Sequence, residues 1–203
     1  MTYEPKDAYY RKARKEGYRS RSAYKLQELN RRFQLIRPEN RVVDLGAAPG
    51  GWLQVTSRLV GPKGRVIGID LQPIDPIKEE NVVLLKGDIY SEHSQRQIKK
   101  LLGSAADCVL SDLSPRLSGI RDADVSRSVA LAEAALDFAH SVLKAGGSFL
   151  VKTFMGQETE DFAAKLKGHF DSLQRSRPEA TRKASSEIYL IARGFKAPSQ
   201  KRE

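Results

Sequence analysis

A chain of 203 residues, 40% hydrophobic and 30% charged, has one domain as its default and enough length to bury about 70% of the surface it exposes when unfolded. Its one cysteine, Cys108, excludes an internal disulfide framework and a multi-cysteine zinc site; no run approaches the roughly 20 apolar residues of a transmembrane helix, and no apolar segment follows the first charges, so a soluble cytoplasmic protein is predicted. The net charge of +10 sits at the ends, with 12 Lys/Arg against 5 Asp/Glu over residues 1–41, 8 against 3 over 175–203, and 15 against 17 between them.

Residues 1–38 read as a basic, helical N-terminal extension. Within it SRSAYKLQELNRRF (20–33) predicts a helix opened by Ser20 or Ser22, with Ala23, Leu26, Leu29 and Phe33 facing inward. From Arg41 onward, short β-branched runs alternate with helical patterns, the signature of a parallel sheet with crossover helices. The predicted strands are 41–45, 65–70, 82–85, 107–112, 148–154, 172–177 and 187–193, and the helices are 51–60, 92–102, 125–144 and 158–169. GPKG (61–64) and AGG (145–147) are the turns expected to close two of those helices. The last two strands follow each other with no helical segment between, so the final one should enter antiparallel. The result is an α/β, Rossmann-like fold: a mostly parallel seven-stranded sheet with an antiparallel last strand, flanked by helices. A disordered tail is expected over 196–203.

In such sheets the first strand-to-helix turn touches the ligand. Here that turn is GAAPGGW (46–52). A dinucleotide fingerprint requires glycine at the position Ala48 occupies, and Pro49 removes one N–H donor, so a pyrophosphate cradle is disfavoured. No G-K-[ST] follows to make a Walker loop. Asp70 ends the second strand, where a carboxylate can accept from ribose hydroxyls, and Asp88 follows the third, where it can meet an adenine edge. A loop that holds adenosine without favouring pyrophosphate suggests S-adenosylmethionine. Strand-end acids that merely cap helices are the plainer alternative. Trp52 is a candidate pocket wall because of its place in the loop.

Several dispersed motifs, in order, resemble the FtsJ/RrmJ-type ribose 2′-O-methyltransferases, the ribosomal RNA large subunit methyltransferase E family. They are DAYYRKARKEGYRSRSAYKL (7–26), VVDLGAAPGGW (42–52), SDLSPRLSG (111–119), FLVKTFMG (149–156) and SSEIYLIARG (185–194). The resemblance implies a methyltransferase domain over 39–195, a catalytic tetrad at Lys25, Asp112, Lys152 and Glu187, and cofactor contacts at Gly50, Trp52, Asp70, Asp88 and Asp112; Gly46, which opens the glycine loop, is a further cofactor-binding candidate. It further implies 2′-O-methylation of a ribose in RNA, a uridine of large-subunit (23S-type) ribosomal RNA. A monomer is expected, and no metal is needed for this chemistry. A related branch acts on transfer RNA, and a non-catalytic ribosome-assembly factor is a third possibility.

The chemistry asks for such a set. A ribose hydroxyl ionises well above neutral pH, so attack on a sulfonium methyl needs a proton acceptor or a positioned cation. Lys152 interrupts an apolar run in a strand expected to be buried on both faces, which makes it the candidate proton acceptor. Lys25 would favour a neutral Lys152 by repulsion, and Asp112 and Glu187 would oppose it; the alternative role is a cation that orients the hydroxyl and stabilises the forming alkoxide. Basic residues Arg11, Lys12, Arg14, Lys15 and Arg19 are the expected RNA contacts, with Tyr9, Tyr10, Tyr18 and Tyr24 offering stacking surfaces. A solvated basic face and ordinary helix packing are the competing readings. His93, His140 and His169 show no pairing in sequence, and Cys108 reads as a small core residue.

Overall fold

A computed structural model describes residues 8–197. Its elements in chain order are α1 (Ala8–Lys15), α2 (Ser22–Phe33), β1 (Arg41–Leu45), α3 (Gly51–Val60), β2 (Arg65–Asp70), β3 (Val82–Lys86) and α4 (Glu92–Leu102). Then come β4 (Ala106–Ser111), α5 (Arg121–Val142), β5 (Leu143–Phe154), α6 (Gln157–His169), β6 (Phe170–Ser176) and β7 (Glu187–Phe195). All seven expected strands form one sheet in the order β3-β2-β1-β4-β5-β7-β6, with β7 antiparallel to both its neighbours. The remaining pairs are parallel.

Successive strand residues point to opposite faces, and the two cores follow that alternation. Val43, Leu45, Val109, Phe149, Val151, Leu190 and Ala192 face the layer of α4, α5 and α6. Val42, Cys108, Leu110, Leu150, Tyr189 and Ile191 face the layer of α2 and α3. Cys108 is therefore the core residue expected, and burial pushes its thiol pKa up. Helix α2 buries Ala23, Leu26 and Leu29 in the second core, so this part of the basic extension is built into the sheet sandwich.

Four local expectations are corrected. The AGG segment lies inside β5, which starts at Leu143; Ala106 pairs with Leu143 and Cys108 with Ser148, so β5 accommodates the extra residues as a bulge. Helix α5 starts at Arg121, because the Asp124 carboxylate accepts from Ser118 N (2.8 Å), Ser118 Oγ (2.8 Å) and Gly119 N (3.2 Å) and so organises the preceding loop. Those bonds, the Ser118 amide first, hold the Asp124 carboxyl below the ordinary carboxylate range. Neither Ser20 nor Ser22 caps α2: their hydroxyls bond each other at 2.6 Å, and Arg21 occupies the cap position. His140 and His169, unpaired in sequence, lie ring to ring with centroids 4.3 Å apart.

Among the described residues no helix is long and apolar enough to cross a membrane. The tail from residue 198 onward lies outside them.

Candidate active site

Sheet parity builds the site. Asp112 continues the alternation of Leu110, Lys152 that of Leu150, and Tyr189 and Glu187 that of Ile191, so all four fall on the α2 side. The antiparallel register sets Tyr189 beside Lys152 and Glu187 beside Phe154. Helix α2 lies over that face and brings Lys25.

The side chains then join in sequence. Lys152 is 6% exposed, and its Nζ donates to the Asp112 carbonyl at 2.8 Å and lies 3.1 Å from Asp112 Oδ1. Tyr189 donates its hydroxyl to the same Oδ1 at 3.0 Å. Lys25 Nζ sits 5.7 Å from the centre of the Tyr189 ring and 2.5 Å from Glu187 Oε2. The structure thus brings together all four members of the expected tetrad, with Tyr189 as the link. Burial, with Asp112 and Glu187 close by, raises the Tyr189 pKa and keeps it a donor.

Two cavities adjoin this array, and Ser114 lines both. The smaller, about 380 Å³, is lined by Gly46, Ala48, Asp70, Asp88, Asp112 and Tyr90, among others. The larger, about 870 Å³, is lined by Lys25, Glu187, Arg21, Arg121 and Arg182, among others. The first is acid-walled and the second rich in cations.

The loop at the smaller cavity is held from several sides. Gly46 has φ +77°, and a Cβ there would lie 2.9 Å from Leu113 Cδ2. The Ala48 amide donates to Asp70 Oδ2 at 3.0 Å, and the Gln72 amide to Oδ1 at 2.8 Å. Asp88 Oδ1 accepts from the Tyr90 amide at 2.9 Å. Gly46, Asp70, Asp88 and Asp112 therefore share one cavity. Gly50 and Trp52 do not line it: Trp52 is 3% exposed, its indole N–H donates to the Ser22 carbonyl at 2.9 Å, and its ring lies 5.9 Å from that of Tyr189. The indole belongs to the α2–sheet core, not to a pocket wall.

Asp44 escaped the sequence reading. It is fully buried, with no hydrogen-bond partner for either carboxylate oxygen among the described residues. Burial first, then Asp112 and Asp70, hold its carboxyl well above the ordinary range. An acid inside the apolar run RVVDL was the available signal, the same one that marked Lys152.

A folded chain that keeps this proton while the unfolded chain releases it above about pH 4 loses stability as the pH rises toward the folded value, by up to about 1.4 kcal/mol per unit. Asp44→Asn is expected to flatten that decline in urea unfolding of the ligand-free protein between pH 5 and 8. An unchanged slope would place the titration elsewhere.

Arg19, expected among the RNA contacts, has another task. Its guanidinium donates to the carbonyls of Pro49 (3.2 Å), Asp75 (2.6 Å) and Pro76 (2.5 Å), strapping the glycine loop to the segment after β2. Charge-assisted bonds of this kind contribute about 1.5–3 kcal/mol, so Arg19→Ala should weaken S-adenosylmethionine binding about tenfold or more in calorimetry and change RNA affinity little. The opposite pattern would return Arg19 to the RNA surface.

The tyrosines divide similarly. Tyr24 is buried, with Tyr9 and Tyr18 rings each 5.7 Å from it, so these three pack α1 and α2 together; Tyr10 is exposed. Arg11, Lys12, Arg14 and Lys15 are all exposed on α1.

A sheet of this order with an antiparallel β7, and an acid-walled cavity at the carboxyl ends of β1, β2 and β4, defines a Rossmann-like methyltransferase. Residues 18–195 match the FtsJ-like methyltransferase family, and the chain belongs to it. A protein named ribosomal RNA large subunit methyltransferase E from Methanothrix thermoacetophila is 51% identical over 193 residues, which is 95% of this chain and 74% of the relative. One of the same name from Coxiella burnetii is 44% identical over 201 residues, 97% and 94% of the two chains. A crystal structure described as a ribosomal RNA methyltransferase from Plasmodium falciparum is 29% identical with a TM-score of 0.80, covering 89% of this chain and all of that one.

Proposed function

We propose that this chain transfers a methyl group from S-adenosylmethionine to a ribose 2′-hydroxyl of large-subunit ribosomal RNA, at a uridine. The observation that carries the reading is the buried array Lys25–Glu187, Tyr189, Asp112–Lys152 standing between an acid-walled cavity and a cation-rich one. The names of the relatives support ribosomal RNA as the acceptor.

The smaller cavity suits a cationic adenosine derivative. Asp70, Asp88 and Asp112 line it, an acidic surround that repels pyrophosphate and attracts an ammonium or sulfonium. When bound, S-adenosylmethionine supplies an electrophilic methyl group on a sulfonium. Asp70 and Asp88 would hold its ribose and adenine ends, Gly46 would let the backbone approach, and the Gly50 and Trp52 main chain at the start of α3 would close the loop from outside the cavity.

Lys152 acts on the acceptor. In its neutral form its two N–H donors serve Asp112, and the nitrogen lone pair is left to take the hydroxyl proton. Asp112, fixed by Tyr189, holds the amine in one orientation. Lys25, anchored by Glu187 on the wall of the larger cavity, steadies the ribose and its phosphate. Alignment of hydroxyl and methyl about 3–3.5 Å apart then removes much of the entropic barrier.

Transfer of labelled methyl groups to purified large subunits, naked ribosomal RNA and transfer RNA, followed by mapping of the modified nucleotide, tests the proposal. Label in a ribose of large-subunit RNA is expected. Label confined to transfer RNA overturns the acceptor, and RNA binding without any transfer leaves an assembly factor.

A further inference from the structure

Six large apolar side chains are exposed among the described residues, and three of them lie on or next in sequence to residues that line one opening. Leu117, 64% exposed, lines the larger cavity. Ile120, 66% exposed, directly precedes the lining residue Arg121. Met155 follows the lining residue Phe154, and its amide donates to the carbonyl of Ser186, also on the wall, at 2.9 Å. Scattered surface leucines need no explanation. Apolar side chains gathered at the lip of a cavity lined by Arg21, Lys25, Arg121 and Arg182 do, because the ligand such cations attract is a polyanion.

The lip is also held in place. Three hydrogen bonds from Ser118 and Gly119 to the Asp124 carboxylate tie the 112–120 loop to the first turn of α5. Leu117 and Ile120 are thus presented from a braced support on either side of Ser118 and Gly119.

An RNA offers an apolar surface of matching size in the face of a base, and one such face is left bare beside the target when a neighbouring nucleotide leaves the stack. The site favours such a departure. Lys152 is 6% exposed, and of the array it belongs to Lys25 and Glu187 line the larger cavity. A ribose held within a continuous stack brings its neighbours with it, so a nucleotide that has left the stack reaches so buried an amine more readily. A cavity of about 870 Å³ has room for one nucleotide.

We propose that Leu117 and Ile120 form a wedge that enters the RNA stack in place of the target nucleotide and covers the base it leaves behind. The inference rests on the reading of this site as one that methylates a ribose in RNA. The wedge offsets part of the cost of unstacking, and so acts on entry of the nucleotide and not on the chemistry that follows.

The test uses the full chain and a ribosomal RNA fragment spanning the mapped methylation site, with 2-aminopurine beside the target. Wild-type protein at saturating concentration should brighten the probe as its stacking partner leaves. L117A/I120A should bind with a similar Kd, fail to brighten the probe, and methylate about 10- to 100-fold more slowly in single turnover. L117M/I120M should restore both signals, and removing the neighbouring base from the RNA should restore the rate of the alanine variant. Probe brightening by the alanine variant equal to wild type overturns the wedge, as does an equal loss of rate on RNA with and without the neighbouring base. Wild-type protein that methylates no ribose in any RNA overturns the underlying reading instead.

Discussion

Lys152→Ala is expected to slow methyl transfer about 10²- to 10⁴-fold, the range that general acid–base groups contribute, while S-adenosylmethionine binding stays within about threefold of wild type. The separation follows from the two cavities. Asp112 faces the smaller one and remains tied to Tyr189 when the amine is gone, whereas Lys152 is assigned to the acceptor hydroxyl. Single-turnover transfer and calorimetric titration on the same preparation give the two numbers. Lys152→Arg then distinguishes the roles, because a guanidinium keeps the charge and cannot accept a proton at working pH. An inactive arginine variant with normal cofactor binding supports proton abstraction, and a largely active one supports an orienting cation. Normal turnover in Lys152→Ala would remove the residue from the mechanism altogether.

The second large effect is on RNA affinity. Replacing Arg11, Lys12, Arg14 and Lys15 together by glutamine should make the plot of log K against log salt shallower by up to about 3, at roughly 0.7 for each phosphate of a single-stranded RNA that is no longer neutralised. At low salt this corresponds to a Kd weaker by about 10²-fold or more. The four side chains are exposed on α1, and among the described residues Lys12 meets a 3.9 Å ion pair with Glu16 and the face of the Tyr24 ring. Fluorescence anisotropy between about 50 and 200 mM salt reads the slope. An unchanged slope would place the RNA surface elsewhere, on the cations of the larger cavity.

Period-two alternation made the strands legible, and the face each residue occupies follows from it. What alternation lacks is register. That Tyr189 stands beside Lys152 depends on how β7 pairs with β5, a long-range choice that no local window contains, so the tyrosine linking the tetrad went unremarked although it lies two residues from Glu187. Trp52 was misplaced for a related reason: membership in a glycine loop says where the main chain runs, but the indole points to α2. The basic run that suggested Arg19 as an RNA contact likewise held no sign of the carbonyls its guanidinium meets around the glycine loop and after β2. The start of β5 was hidden because AGG has the composition of a turn and the pairing of a bulged strand.

The short stretch from Arg19 to Lys25 serves three neighbours at once. Arg19 grips the carbonyls around the glycine loop, Ser22 receives the Trp52 indole through its carbonyl, and Lys25 reaches Glu187. Upstream of it stands the basic helix assigned to RNA. A truncation that begins at Arg41 therefore cannot be read as a catalytic core relieved of its RNA handle, because the same cut unfastens the cofactor loop, uncovers a tryptophan and deletes a member of the tetrad. Loss of activity in such a fragment carries no information about docking, and only point substitutions on α1 can separate grip from chemistry.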